Sequence, residues 1–228
     1  MRHLQITEIF QSIQGEGRHA GLPCVFIRLT GCNLRCRWCD TEYSFHGGRR
    51  MALEDVLAAA EAYACPLVEI TGGEPMLQEA AVADLSRQLL AAGLEVLIET
   101  SGERDLTALP AEVRKIVDVK CPESGESGKF LLANLGLLQV WDELKFVIAD
   151  RGDYEFARAF VAEHGLTGQA PHLLLSPAFR KDAAGERNRA QCALDPRELA
   201  DWMLADRLPA RLSLQVHKFI WDPAMKGV

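Results

Sequence analysis

The sequence predicts an α/β fold of parallel strands joined by crossover helices. Two observations carry that expectation. Short β-branched runs alternate with longer segments of helical periodicity almost from end to end, and no Ser/Gly-rich or Pro-rich linker, low-complexity tract or fixed-period repeat interrupts the alternation. A single domain of repeated βα units is the simplest account. Strands are expected at 24–30, 67–71, 94–100, 115–120, 143–148, 172–175 and 211–216, with a short extra strand over 6–10. Helices are expected between them at 53–64, 80–92, roughly 130–138, 154–164 and 196–207. Asp195 suits an N-cap with Pro196 in the first helical position, and Gly93 and Gly165 sit where a helix ends through a left-handed residue. Such a chain closes either as a doubly wound open sheet or as a barrel, which can be incomplete; both place chemistry at the carboxyl ends of the strands.

Composition narrows the function. The 228 residues are 48% apolar, 25% charged and 7% aromatic, enough for a sizeable core and too apolar for wholesale disorder. Twenty-five basic against thirty-two acidic side chains give a formal charge of −7, which argues against a surface built to neutralise a phosphate backbone, so no nucleic-acid partner is expected. Met1-Arg2-His3-Leu4-Gln5 leads into no apolar leader, and no run approaches the ~18 apolar residues of a membrane span. A cytoplasmic protein without a membrane partner is expected.

The unusual residues fall at strand ends: Thr30-Gly31-Cys32, Thr71-Gly72-Gly73-Glu74-Pro75, Glu99-Thr100-Ser101-Gly102, Asp118-Val119-Lys120, Ser176-Pro177 and Gln215-Val216-His217-Lys218, with Lys145 inside a strand. In this fold class they can converge on one rim. Of the seven cysteines, Cys32, Cys36 and Cys39 crowd one loop, too close for a conventional disulfide framework; Cys24, Cys65, Cys121 and Cys192 are isolated and read as buried small hydrophobes. Three thiols in eight residues can wrap one metal centre. Zinc would need a fourth ligand such as Asp40, His46 or a distant histidine, and a Cys36–Cys39 redox pair is a further alternative. A [4Fe-4S] cube on three cysteines would leave one iron without a protein ligand.

The spacing C-x3-C-x2-C, with Trp38 just before the third cysteine, resembles the signature of the radical S-adenosylmethionine (SAM) superfamily. The Gly72-Gly73-Glu74-Pro75 turn, readable alone as a strand-to-helix turn, resembles the superfamily's GGEP motif. Beyond these, Gln11-Ser12-Ile13-Gln14-Gly15-Glu16-Gly17, Arg28-Leu29-Thr30-Gly31-Cys32-Asn33-Leu34, Cys39-Asp40-Thr41, Glu143-Leu144-Lys145 and Gln215-Val216-His217-Lys218 are similar to the 7-carboxy-7-deazaguanine synthase family, over about residues 5–220.

The resemblance implies a modified, incomplete (β/α) barrel of the radical SAM type and a homodimer. It implies a lyase that acts on 6-carboxy-5,6,7,8-tetrahydropterin through hydrogen abstraction at C6 and ring contraction, with loss of ammonia, in 7-deazapurine (queuosine) biosynthesis. A [4Fe-4S] cluster on Cys32, Cys36 and Cys39 would chelate SAM and cleave it to a 5′-deoxyadenosyl radical, and Thr41 would bind Mg2+. SAM would lie against Trp38, Cys39, Asp40, Gly73 and Glu74, then Ser101, Asp118, Val119 and Lys120, and finally Ser176, Pro177, Ala178 and Phe179. Glu74 and the backbone of its turn would receive the SAM amino group. The substrate would meet Ile13, Gln14, Gly15 and Glu16, together with Arg28, Thr71, Gln215 and His217. An external electron donor such as flavodoxin or ferredoxin is implied. Some family members bring a C-terminal carboxylate to the substrate; this chain runs ten residues past Lys218, and no such role is expected. The stretch 180–189 carries no legible motif and reads as a loop. Alternatives are a glycyl-radical-activating protein, which would leave Gln14, Glu16, Arg28 and His217 unexplained, and a non-catalytic zinc or iron-sulfur module.

Overall fold

A computed structural model describes residues 2–168, 171–180, 191–222 and 225–228. Its frame is one sheet of nine strands: β1 (His3–Ile13), β2 (Pro23–Leu29), β3 (Arg49–Ala52), β4 (Leu67–Gly72), β5 (Glu95–Thr100), β6 (Arg114–Asp118), β7 (Glu143–Ile148), β8 (His172–Pro177) and β9 (Arg211–Leu212), in the order β3-β1-β2-β4-β5-β6-β7-β8-β9. From β2 to β9 every neighbouring pair is parallel, while β1 runs antiparallel to both β2 and β3. A doubly wound sheet reverses its strand order at a switch point. Here the parallel strands advance in one direction throughout, which is the winding of an incomplete (β/α) barrel.

The helices α1 (Leu53–Glu61), α2 (Glu79–Ala91), α3 (Arg151–Glu163) and α4 (Pro196–Asp206) bury one stripe each; a short α5 (His217–Ile220) follows β9. In α2 the stripe is Val82, Leu85 and Leu89, which joins Ile27, Ile70 and Ile98 of the sheet in one apolar cluster. Asp150 and Asp195 cap α3 and α4 by accepting the Asp153 and Arg197 amides. Because strand side chains alternate, the residues between these apolar positions face the other way. Phe26 and Arg28, Glu69 and Thr71, and Lys145 and Val147 thus line a cavity on the inner face.

Three expectations are corrected. The segment near 130–138 forms a 3-10 turn at Leu132–Leu137 instead of an α-helix. Asn134 holds it flat, donating to the Gly102 and Arg104 carbonyls and accepting the Leu106 amide. The expected strand at 211–216 stops at Leu212, because Ser213 and Gln215 turn to bind the N-terminal loop at Gly17 and Glu16. The short strand near 6–10 is instead the eleven-residue β1, long enough to pair on both edges, with β3 on its outer side. The loop expected near 180–189 lies almost entirely outside the described residues.

Candidate active site

The cavity sits at the carboxyl ends of β2 to β7. The loop after β2 places Cys32, Cys36 and Cys39 on its wall as free, half-buried thiols. The loop is held from outside: Glu126 accepts the Arg35 amide at 2.5 Å and the Ser124 carbonyl accepts the Arg37 amide at 3.0 Å, while the Arg35 guanidinium lies over the Phe45 ring at 4.2 Å. Burial pushes the Cys36 thiol up to about 11 against the opposing Lys120 charge, so a bound cation is what would make it a thiolate at neutral pH. Trp38, Asp40 and Thr41 also face the cavity, with Thr41 Oγ1 3.7 Å from Cys39 Sγ and Asp40 paired to Lys218 at 2.6 Å. Among the described residues, no three His, Cys, Asp or Glu side chains gather around one point as a single-ion site would need. The other four cysteines are free and buried, as expected.

The Gly72–Pro75 turn closes directly on this loop. A Cβ at Gly73 would lie 2.3 Å from the Gly31 carbonyl oxygen and 2.6 Å from Cys32 Cβ, so only glycine permits the approach. Gly73→Ala should therefore push the turn off the cysteine loop. Iron and sulfide bound after reconstitution should fall by half or more while far-ultraviolet circular dichroism stays unchanged; full cluster loading in that variant would contradict the contact. Glu74 is tied into the protein on several sides. Its carboxylate, 1% exposed, accepts from the Met76 amide, Thr100 Oγ1, and both the amide and hydroxyl of Ser101. Four donors fill a carboxylate's acceptor capacity, so Glu74 braces the β4 turn to the end of β5 and has little left for an ammonium.

At the end of β6, Asp118 pairs with Lys120 at 2.7 Å through one oxygen, and its other oxygen is buried with no partner among the described residues. An orphaned carboxylate oxygen on a cavity wall is an acceptor available to a ligand. Val119 is buried beside it and does not reach the cavity; its amide donates to the Lys145 carbonyl at 2.8 Å. Nor do Ser176, Pro177, Ala178 and Phe179 line the wall. All four are buried, and the Phe179 ring packs against Phe219 at 5.5 Å and under Lys218 Nζ at 5.1 Å.

The N-terminal loop forms the opposite wall with Ile13, Gln14, Gly15 and Glu16. Gly15 packs on His217 so closely that a Cβ would stand 2.0 Å from the imidazole Nδ1, and its carbonyl accepts the Val216 amide at 2.9 Å. Glu16 accepts from Lys145 at 2.9 Å and Gln215 at 2.8 Å. Burial would raise its pKa, but the Lys145 and His217 charges and these hydrogen bonds hold it down at about 2. Lys145 also pairs with Glu99, and burial is outweighed by Glu16 and Glu99, which keep its ammonium charged well past the usual range. Burial lowers the pKa of His217, while the Glu16 and Asp40 charges pull it the other way. Arg28 is paired with Glu8 at 2.8 Å, a carboxylate that also accepts the Tyr43 hydroxyl at 2.7 Å. Thr71 lies next to Arg28 across β2 and β4.

Sequence reasoning passed over Glu8, Tyr43 and Glu69, and set Glu99, Lys145 and Lys218 on the rim without assigning them a role; all six lie on the cavity or are paired to its wall. A charged residue inside an otherwise apolar strand, as in Leu67-Val68-Glu69-Ile70, is the signal that marks three of them. The segment past Lys218, whose terminal carboxylate was assigned no role, returns to the cavity through Asp222, Met225, Gly227 and Val228.

Residues 26–157, more than half of the chain, match the Radical SAM superfamily. A 7-carboxy-7-deazaguanine synthase of Koribacter versatilis is 56% identical over 99% of this chain and 100% of its own length. The chain belongs to the 7-carboxy-7-deazaguanine synthase family. The synthase of Chlorobaculum tepidum is 40% identical over 99% of this chain and 97% of its own. The crystal structure of QueE from Escherichia coli superposes with a TM-score of 0.74 at 26% identity, covering 94% and 95% of the two chains. Family membership brings a [4Fe-4S] cluster and SAM, and the residues present fit them. Three unpaired thiols share one loop, a glycine turn leaves no room for a side chain beside Cys32, and Asp118 offers an unused buried acceptor.

Proposed function

We propose that this chain is a radical SAM lyase that converts 6-carboxy-5,6,7,8-tetrahydropterin to 7-carboxy-7-deazaguanine, losing ammonia after hydrogen abstraction at C6 and ring contraction. The observation that carries the reading is the meeting, in one cavity, of the three-thiol loop with a wall of Gln14, Glu16, Arg28 and His217. Cys32, Cys36 and Cys39 would hold the cluster, which with SAM supplies a 5′-deoxyadenosyl radical when both are bound. The chain's own residues bind, orient and exclude water. Asp118 has an oxygen free for a ribose hydroxyl, and the Lys120 ammonium favours a carboxylate nearby. Trp38 offers a face for the adenine. The turn at Gly73 supplies backbone acceptors for an ammonium in place of the filled Glu74 carboxylate.

On the substrate side, Arg28 and His217 suit the pterin carboxylate, and Thr41 supplies an oxygen ligand for Mg2+ beside it. The stacked rings of Phe10 and Phe26, 5.1 Å apart, form an apolar patch of the wall, and Met225 adds a further apolar side chain to it. Holding a reactive radical requires such a dry, fixed cavity more than it requires an acid or base. We further propose a cytoplasmic homodimer reduced by a flavodoxin- or ferredoxin-type donor; among the described residues no helix is long and apolar enough to cross a membrane.

The test is mass spectrometry of an anaerobic reaction containing reconstituted protein, reductant, SAM, Mg2+ and 6-carboxytetrahydropterin. Formation of 7-carboxy-7-deazaguanine that disappears when SAM is omitted is expected. An intact cluster that releases 5′-deoxyadenosine without that product would discard the substrate. Thr41→Ala should weaken the stimulation by Mg2+ while leaving the cluster spectrum intact; unchanged Mg2+ dependence would remove Thr41 from the site.

A further inference from the structure

Glu69 is a buried carboxylate on the cavity wall that no cation pairs with among the described residues. It sits in the middle of β4, 2% exposed, between Phe26 of β2 and Leu97 of β5 in register. Glu16 and Glu99 share Lys145, Asp118 has Lys120, and Glu8 has Arg28. Among the described residues no cation pairs with Glu69, and its side-chain partner is the Gln14 amide Nε2, which donates to Glu69 Oε2. The same amide accepts the Glu16 backbone N–H at 2.8 Å through Oε1, so Glu69 and Glu16 together fix which way Gln14 faces.

An uncompensated buried carboxyl is destabilising, and Val at this strand position would bury at no such penalty. Retention is understandable where a ligand supplies the missing donors. The bound molecule, on the reading above, carries a carboxylate at one end and an aminopyrimidinone at the other. That second end presents a ring N–H and an exocyclic NH2 side by side, a donor pair that matches two carboxylate oxygens.

We propose that Glu69 is a further specificity-determining residue, which receives the paired N–H donors of the aminopyrimidinone ring and orients Gln14 beside them. The proposal rests on the pterin reading of the same cavity. Burial, followed by the Glu99 and Glu16 charges, pushes the Glu69 carboxyl well above the usual range, and paired N–H donors would favour its ionised form. Lys145 and Arg28 oppose that shift without pairing with it.

The test is calorimetric titration of the cluster- and SAM-loaded enzyme with two ligands, 7-carboxy-7-deazaguanine and its analogue lacking the 2-amino group. Wild type should bind the amino compound ~10- to 100-fold more tightly, the usual range for hydrogen bonds to a charged group. Glu69→Gln and Glu69→Val should bring that ratio to within ~3-fold by weakening the amino ligand alone. A merely structural role would weaken both ligands together and leave the ratio unchanged, which would overturn the proposal. If the Gln variant does not fold, the apolar Val variant and the wild-type ratio decide; a wild-type ratio near one also overturns it. Failure of wild type to bind either ligand would overturn the pterin reading and this proposal with it.

Discussion

Replacing Cys36 by alanine should abolish both the visible absorption of a reconstituted cluster and all turnover. Cys36 is one of only three thiols on the loop, and a cube carried by three cysteines has no spare protein ligand. The loop itself should survive, because its anchors at Glu126, Ser124 and Ser44 do not involve the thiol. Cys121→Ala is the control. That residue is 1% exposed within the apolar cluster, so its loss should lower stability by about 1 kcal/mol and leave cluster and activity in place. Normal activity in Cys36→Ala, or loss of the cluster in Cys121→Ala alone, would contradict the assignment.

Lys145→Met should be the most damaging change on the substrate side. The Lys145 side chain is 4% exposed and holds both Glu16 and Glu99, and methionine fills similar space without the charge. Two carboxylates would then share a buried site with no cation between them. Removing one partner of a buried pair costs about 3–5 kcal/mol, which in a chain of this length lowers Tm by roughly 6–15 °C. The pH dependence has a definite sign. In wild type the Glu16 carboxyl is held at about 2, so the stability it contributes is present above the ordinary carboxylate range and is lost only as pH falls toward 2. Without Lys145 the same carboxyl resists ionisation, so the deficit should be largest at pH 7–8 and shrink as pH falls toward 5. Thermal melts of both proteins across that range check it; a Tm loss below about 2 °C at pH 7 would show that the pairs carry little.

The helices and parallel strands were legible where one periodicity ruled. The Val82, Leu85 and Leu89 stripe announces α2, and Asp195-Pro196 announces the start of α4, because both signals are local. The 3-10 turn at Leu132–Leu137 was not legible, since it depends on Asn134 reaching three backbone groups some thirty positions away. The same holds for the shortened β9, which ends where Ser213 accepts the Gly17 amide and Gln215 donates to Glu16, in a loop at the other end of the chain.

In the site, the cysteine loop and the glycine turn were readable as motifs, because each is contiguous. The hydrogen bonds that tie Glu74 to Met76, Thr100 and Ser101 were not legible, because they depend on how the β4 turn meets the end of β5. Glu69, Glu99 and Lys145 were readable as charges inside apolar strands, yet that Glu99 meets Lys145 while Glu69 meets Gln14 depends on how β4, β5 and β7 are arranged in the sheet. The return of Met225, Gly227 and Val228 to the cavity had no local signal at all.

The central claim is that this cavity directs a radical at C6 of the pterin. A single-turnover reaction with substrate deuterated at C6 tests it most directly, with SAM and 5′-deoxyadenosine recovered and weighed by mass spectrometry. The account predicts one deuterium in the recovered SAM or 5′-deoxyadenosine, and none when the label is placed at C7 instead. Formation of 7-carboxy-7-deazaguanine with no label transferred from C6 would contradict it.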